Sequence, residues 1–182
     1  GAAVITPMTT LMQEGGLTTA QVAAVLGVPD GVDLLTFNPY AIGVNTANAL
    51  AVEIAAQQVV AVVTAFAGAA EGAGASPEDA FAAAMQAVAE VVKMKAEAAA
   101  ADSTASAEST KIDFADAADL GLIKNQVAIQ VATKDGTDQT IFDAIAGDTV
   151  TAIKNVNDVI ATASDLTSDA SRNKFSIPQV LA

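Results

Sequence analysis

The chain has 182 residues, 21 acidic and 8 basic, giving a formal net charge of −13, and it contains no cysteine, histidine or tryptophan. So acidic a chain repels phosphate groups, which excludes nucleic acid as a partner and disfavours anionic membrane surfaces. Disulfides, histidine- or thiol-based catalysis and zinc sites with histidine or cysteine ligands are excluded, and we expect no enzyme; only carboxylate-based chemistry stays open.

The apolar residues predict the fold class. They make up 52% of the chain, but aromatics only 4%, so the apolar side chains are mostly small. Small side chains let helix axes approach closely, although each buries less surface than a leucine. We predict an all-α fold in a single domain over residues 1–182. Its expected architecture is a bundle of three or four long Ala/Val-rich helices, preceded by a short helical hairpin.

Residues 1–40 are predicted to form this helical hairpin and a capping loop. Pro7 suits the first turn of a helix, and Gly15-Gly16 is a stop signal. Thr18 and Gln21 have the spacing of a capping box, in which each side chain satisfies a backbone amide at the start of the next helix.

Residues 46–100 are predicted to form two long helices. The first, from about Thr46 to Ala70, is apolar nearly all round, which is typical of a central helix buried on several sides. Ser76-Pro77 marks the start of the second, with a cap followed by proline at the first position. Apolar residues of the second helix recur at steps of three and four and are expected on one face: Phe81, Met85, Val88 and Val92.

The second half of the chain is less regular. Residues 101–112 are low in complexity and predict a flexible link, residues 113–165 predict further helices, and residues 166–182 a tail. Around residues 125–133 the apolar residues alternate as in a strand, but no partner strand is evident. We therefore interpret this stretch as helix, with strand as the alternative.

Two turns share a DGxD pattern. Asp30 and Asp33 flank the first, and Asp135 and Asp138 flank the second. Calcium prefers clustered carboxylate and carbonyl oxygens, so these aspartates are candidate calcium ligands, although neither turn matches the EF-hand loop. The alternative is a plain turn in which the second aspartate caps the following helix.

Other carboxylates are candidates for chemistry on weaker grounds. Asp113, Asp116 and Asp119 recur at steps of three, which suits either a metal site or a favourable interaction with a helix dipole. Glu53 falls within the most apolar helix and is the best candidate for acid–base chemistry. For both we favour the structural alternative.

Four further residues are candidates for binding an apolar or glycan ligand. Tyr40 is the only tyrosine, and Phe37 lies close to it in sequence. Gln57 and Gln58 interrupt the apolar first long helix and need either polar partners there or a gap in the packing. The alternative is that Tyr40 covers the core with its hydroxyl in water.

The opening of the chain resembles a known type of segment. Val4-Ile5-Thr6-Pro7-Met8-Thr9-Thr10-Leu11-Met12 is similar to the V-T-P-L-T-T-L opening of helical segments in large, adhesin-like bacterial surface and secreted proteins. The sequence through Phe37-Asn38-Pro39 resembles their continuation, and the resemblance covers about residues 1–70. This chain has Met8 where leucine is usual. The parent proteins often carry cadherin-like, immunoglobulin-like or calcium-binding RTX-type repeats.

The resemblance implies an extracellular setting and a structural or adhesive role, and it transfers no functional residue. We expect a non-catalytic structural or interaction module of a bacterial secreted or cell-surface protein. Its partners would be other domains of a longer parent chain, or a protein or glycan. We expect no membrane insertion, because the most apolar run, Val59 to Ala70, is shorter than the ~20 residues that a span needs. The alternatives are a ligand-binding helical module and a calcium-stabilised domain.

Overall fold

A computed structural model describes residues 7–41, 43–101, 104 and 110–180. These residues contain seven helices and no strand, which confirms the predicted all-α class. In chain order the helices are α1 (Pro7–Gly15), α2 (Thr19–Val25), α3 (Thr46–Gly72), α4 (Pro77–Ala101), α5 (Ala117–Val131), α6 (Gln139–Ala161) and α7 (Asp169–Val180).

Four helices, α3 to α6, form the core of the molecule. Helix α3 packs against α4 and α6, and α5 packs against the same two helices from the other side. The short helices lie outside this core, with α1 and α2 mainly against α4, and α7 against α3 and α6. Helix α3 contacts α1, α4, α5, α6 and α7, and most of its residues are buried or half-buried.

Successive core helices run in opposite directions. Lys95 near the end of α4 pairs with Asp119 near the start of α5, at 2.8 Å between Nζ and Oδ1. The amide of Asp138, just before α6, donates to the carbonyl of Ala73, just after α3, at 2.8 Å. We call the end where α3 begins and α4 finishes the first end, and the end where α3 finishes and α4 begins the second end.

Side-chain caps start most of the helices. Thr18 and Gln21 form the predicted capping box at α2, and Ser76 Oγ accepts from the amide of Asp79 at 3.2 Å. Asn45 and Asp116 accept from the first amides of α3 and α5. Because the first amides of a helix have no partner within the helix, these side chains fix where each helix begins.

Helices α3 and α4, which pack against each other, bury mostly small side chains. Several alanines are completely buried on α4, among them Ala80, Ala83, Ala84 and Ala87. Val59, Val62 and Phe66 of α3 are equally buried. Larger residues at the alanine positions would force the two helix axes apart, because interiors are packed without room for added methylenes.

One residue of the predicted α4 face is placed differently. Phe81 is 53% exposed, whereas Met85, Val88 and Val92 are buried as predicted. Near the start of α4 the neighbouring helices pack against alanines, Ala80 and others, so the wider phenylalanine is left outside the contact. The assignment of Phe81 to the buried face is therefore wrong.

The stretch with strand-like alternation is helical. Val127 and Val131, four residues apart, are fully buried in α5, while Ile129 between them is 58% exposed. Leu120 and Ile123 continue the buried face at helical spacing. The interpretation of this region as helix is thus confirmed through Val131, and the alternation was coincidental.

Parts of the predicted link and of the predicted tail pack against the helices. The amide of Ile112 donates to the carbonyl of Val25 at 2.9 Å, and its side chain is buried; most of the rest of the predicted link lies outside the described residues. The predicted tail contains α7, and Phe175 packs with Ala61 and Ile160 as a second, smaller core.

Helix α3 is long and apolar enough to cross a membrane by length and composition, with a mean hydropathy of 1.8 in its most apolar 18-residue window. The same properties are typical of the core helix of a soluble protein. Here 44% of that window is buried against the rest of the chain.

Candidate ligand-binding groove

A groove of about 720 Å³ opens at the first end of the molecule. One wall is the loop around Tyr40 together with the first turns of α3, from Thr46 to Leu50. The other wall is the segment between α6 and α7, residues 164–167. Its volume falls within the usual range for small-molecule sites, and most of its surface is apolar.

Tyr40 stands at the edge of this groove. The side chain of Asn38 accepts from its amide at 2.9 Å, which holds the turn, and the residue is 63% exposed. Glu53 of α3, one of the few buried polar residues, lies near the Tyr40 hydroxyl, and its Oε1 accepts from Gln57 Nε2 at 2.8 Å. The Tyr40 side chain is therefore largely in solvent at the mouth of the groove.

The environment of the hydroxyl changes its acidity. Partial burial raises the pKa of Tyr40, and the negative charge of the nearby Glu53 carboxylate raises that pKa further. Arg172 of α7 has a smaller, opposite effect. Loss of the phenolic proton would place two negative charges side by side, so Tyr40 stays neutral to a higher pH than a free tyrosine.

Asp165 forms the charged part of the opposite wall. Its Oδ1 accepts from the amides of Thr167 at 2.8 Å and Ser168 at 2.6 Å, and Oδ2 accepts from the Ser168 hydroxyl at 2.9 Å. These hydrogen bonds, led by the one from the Ser168 amide, hold the pKa of Asp165 well below its usual range. The groove thus keeps a fixed negative charge on this side.

The four residues predicted to bind a ligand are only partly brought together. Tyr40 lines the groove. Gln57 does not line it but donates to Glu53. Phe37 instead packs against the main core. Gln58 Nε2 donates to the carbonyl of Asn157 on α6 at 3.3 Å, away from the groove wall. Phe37 and Gln58 therefore belong to the packing of the helices.

The two DGxD turns are not brought together. The Asp30–Asp33 turn lies beside α2, whereas Asp138 binds Ala73 at the second end. Asp33 accepts from the Leu35 amide at 3.1 Å. Asp138 caps α6 by accepting from the amides of its first turn, the shortest at 2.8 Å. Among the described residues no group of three or more carboxylates is placed to share a metal ion.

The chain matches no family model, no curated protein and no solved structure. The similarity of its opening to helical segments of bacterial surface proteins therefore stays a prediction. Any role for the groove has to be argued from the side chains that line it and from the charges around it.

Asp113, Asp116 and Asp119, which are spaced by three, stabilise the start of α5. Asp116 is its cap, and Asp119 pairs with Lys95 while its Oδ2 accepts from the amide of Asp113 at 2.8 Å. Asp113 in turn accepts from the amide of Ala115 at 2.8 Å. Their carboxylates hold the loop against the helix, which is the structural alternative that the spacing allowed.

Nothing in the sequence predicted that residues 164–167 would line a groove. Leu166 and Asp165 lie more than a hundred residues from Tyr40, and only the packing of α7 against α3 and α6 brings them opposite it. A polar segment after a helix reads as an ordinary loop. Its contribution to a site is visible only in three dimensions.

Proposed function

We propose that the chain is a non-catalytic structural and interaction module of a bacterial secreted or cell-surface protein, with α3 to α6 as a four-helix bundle. The observation that carries this proposal is the use of the carboxylates. Asp116 and Asp138 cap helices, and Asp119 pairs with Lys95. The acidic side chains with described partners thus support the scaffold, which is the pattern of a structural domain.

The composition and the opening segment support the proposed secreted or cell-surface location. A net charge of −13 keeps a domain soluble in a salty exterior. The resemblance of residues 1–70 to segments of adhesin-like proteins supports other domains of a longer parent chain as partners, with a protein or glycan as further partners.

The role of the second DGxD turn tests this proposal. Replacing Asp138 by alanine should lower the stability by about 1 kcal/mol, the usual cost of losing an N-cap, with or without calcium. The matched control is Asp135→Ala, an exposed aspartate of the same turn, which should change little. Thermal melting in calcium and then in chelator measures both. A calcium-dependent melting temperature that both substitutions abolish would instead support a calcium-stabilised domain.

A second candidate function is binding of an apolar or glycan ligand in the groove. It is favoured by one observation, the exposed ring of Tyr40 over a mostly apolar groove, because such a ring stacks on apolar ligands and on sugar faces. A thermal-shift screen of apolar compounds and oligosaccharides should then find ligands that stabilise the native chain but not Tyr40→Ala. If no compound distinguishes the two proteins, the groove is not a binding site.

A further inference from the structure

Helix α5 has an uncharged outer face. Its five exposed residues, which lie between Ala117 and Ile129, include no charged side chain. Each of the other core helices exposes acidic residues, among them Glu71 of α3, Glu97 of α4 and Asp148 of α6. The short helices α1, α2 and α7 make their main contacts with those other three helices, so this face of α5 is open to solvent.

The residues of this face follow a regular spacing. We call α5 stripe the exposed residues that recur at alternating steps of four and three along the helix and its C-terminal cap: Ala118, Leu122, Asn125, Ile129 and Ala132. Such spacing aligns side chains along one side of a helix and is typical of the seam between two paired helices. Leu122 is 43% exposed and Ile129 58%, so two large apolar side chains of the stripe lie in water.

The stripe has the same order of residue types in both directions. Asn125 is at its centre, a large apolar residue lies three or four positions away on each side, and an alanine lies seven positions away on each side. A two-fold axis brings the same patch of two copies together, which requires a patch that is complementary to itself. In an antiparallel pair of α5 helices centred on Asn125, Leu122 meets Ile129 of the second copy, and Ala118 meets Ala132. The two Asn125 amides face each other, and each can donate one hydrogen bond and accept another.

Charge narrows the choice of partner. Each chain has a net charge of −13, so a basic partner is attracted to the exposed carboxylates of the other helices rather than to this uncharged face. Two copies of the chain repel each other over most of their surface, and the repulsion is weakest where the surfaces in contact carry no charge. The α5 stripe is such a surface on both copies.

We propose that two copies of the chain associate through their α5 stripes, antiparallel and about a two-fold axis at Asn125. The stripe is about 21 Å long and a helix is about 10 Å wide, so the contact is smaller than the ~800 Å² per partner of a standard interface. We therefore expect a weak dimer, with a Kd on the order of 100 µM. The inference names a partner that the proposed function does not, and a folded monomer would overturn it while leaving the structural module intact.

Sedimentation velocity of the native chain measures the association directly. Between about 10 µM and about 1 mM the chain should shift from monomer to dimer. The Kd should fall about three- to tenfold when salt is raised from about 0.05 M to about 0.5 M, because salt screens the repulsion between the two copies. A chain that stays monomeric would overturn the proposal. Association that salt weakens would also overturn it, because that result indicates attraction between opposite charges.

Two glutamate substitutions locate the contact. Ile129→Glu adds one charge per copy to the stripe and should raise the Kd at least about tenfold. The matched control is Ile141→Glu, the same change at an exposed isoleucine of α6. Ile145, one turn further on, lies 3.3 Å from the Cβ position of Gly72 in α3, so Ile141 is on the side of α6 towards α3 rather than α5. Both substituted residues are exposed, so both variants should fold. Equal association of the two variants would exclude the α5 stripe as the interface.

Single cysteines test the arrangement of the two copies, because the native chain has no cysteine. Only a residue on the two-fold axis meets its own copy, so Asn125→Cys should form a disulfide-linked dimer about tenfold faster than Asn155→Cys, which replaces an exposed asparagine of α6. Ala118→Cys should not cross-link to itself, since its two copies would be about 21 Å apart, but it should cross-link to Ala132→Cys in a mixture. Self-cross-linking of Ala118→Cys as fast as that of Asn125→Cys would overturn the antiparallel pair.

Discussion

Glu53 shows how a charged residue is accommodated within the most apolar helix, α3. Glu53 is 9% exposed, and a buried carboxylate is costly unless hydrogen bonds compensate for its lost hydration. Gln57 supplies such a bond from the next turn of α3, at 2.8 Å.

The titration of Tyr40 tests whether Glu53 lies near its hydroxyl. Its pKa is raised by burial and by Glu53, so Glu53→Gln should bring it closer to the usual value of about 10. A group whose folded pKa is raised stabilises the fold below its unfolded pKa, and that stabilisation is lost as the pH rises through the folded pKa. Absorbance of the single tyrosine near 295 nm follows the titration. Identical midpoints for the native and substituted proteins would contradict this proximity.

Asn157 joins α6 to the loop before α5 by a hydrogen bond. It is fully buried on α6, and its Nδ2 donates to the carbonyl of Phe114 at 2.8 Å. Asn157→Ala should lower the free energy of unfolding by about 1–3 kcal/mol, because it leaves that buried carbonyl without a partner. The control, Asn155→Ala, changes an exposed asparagine two residues away and should stay within about 0.5 kcal/mol. Equal losses in chemical denaturation would show that Asn157 has no special role.

At the level of elements, the tight turn between α3 and α4 depends on a glycine. Gly74 has a φ of 104°, and a Cβ placed there would lie 2.5 Å from the carbonyl oxygen of Gly136. The turn before α6 therefore packs directly on the turn before α4, backbone against backbone. This contact sets the second end of the molecule.

A pair of glycine substitutions tests the turn. Gly74→Ala should destabilise the protein by more than about 1 kcal/mol, because both the φ angle and the space exclude a side chain. Gly68→Ala adds the same methyl group within α3, where no atom lies within 4 Å, and should stabilise it by about 0.5–1 kcal/mol. Thermal melting gives both signs. A stabilising Gly74→Ala would contradict the packing of the two turns.

Local signals in the sequence predicted the elements better than the site. Thr18 with Gln21 and Ser76-Pro77 marked helix starts correctly, because capping depends on residues three apart. Helix α7 was missed, because the segment is polar and its buried Phe175 finds its partners on α3 and α6. The groove was identified only through Tyr40, since its other wall comes from the far end of the chain.

At the scale of the whole molecule, many small contacts replace a few large ones. The core is dominated by alanine and valine with two fully buried phenylalanines, Phe66 and Phe142. Such a core stabilises only when the helices are packed closely over their full length, so we expect folding to be cooperative across α3 to α6.

We expect residues 1–182 to fold as a self-contained helical module, and thermal unfolding of this chain in seawater-like salt tests this directly. Circular dichroism at 222 nm should show a strongly helical spectrum and one sharp transition that coincides with the loss of the near-ultraviolet tyrosine signal. An unfolded spectrum, or a gradual loss of helicity without a tyrosine transition, would contradict the account.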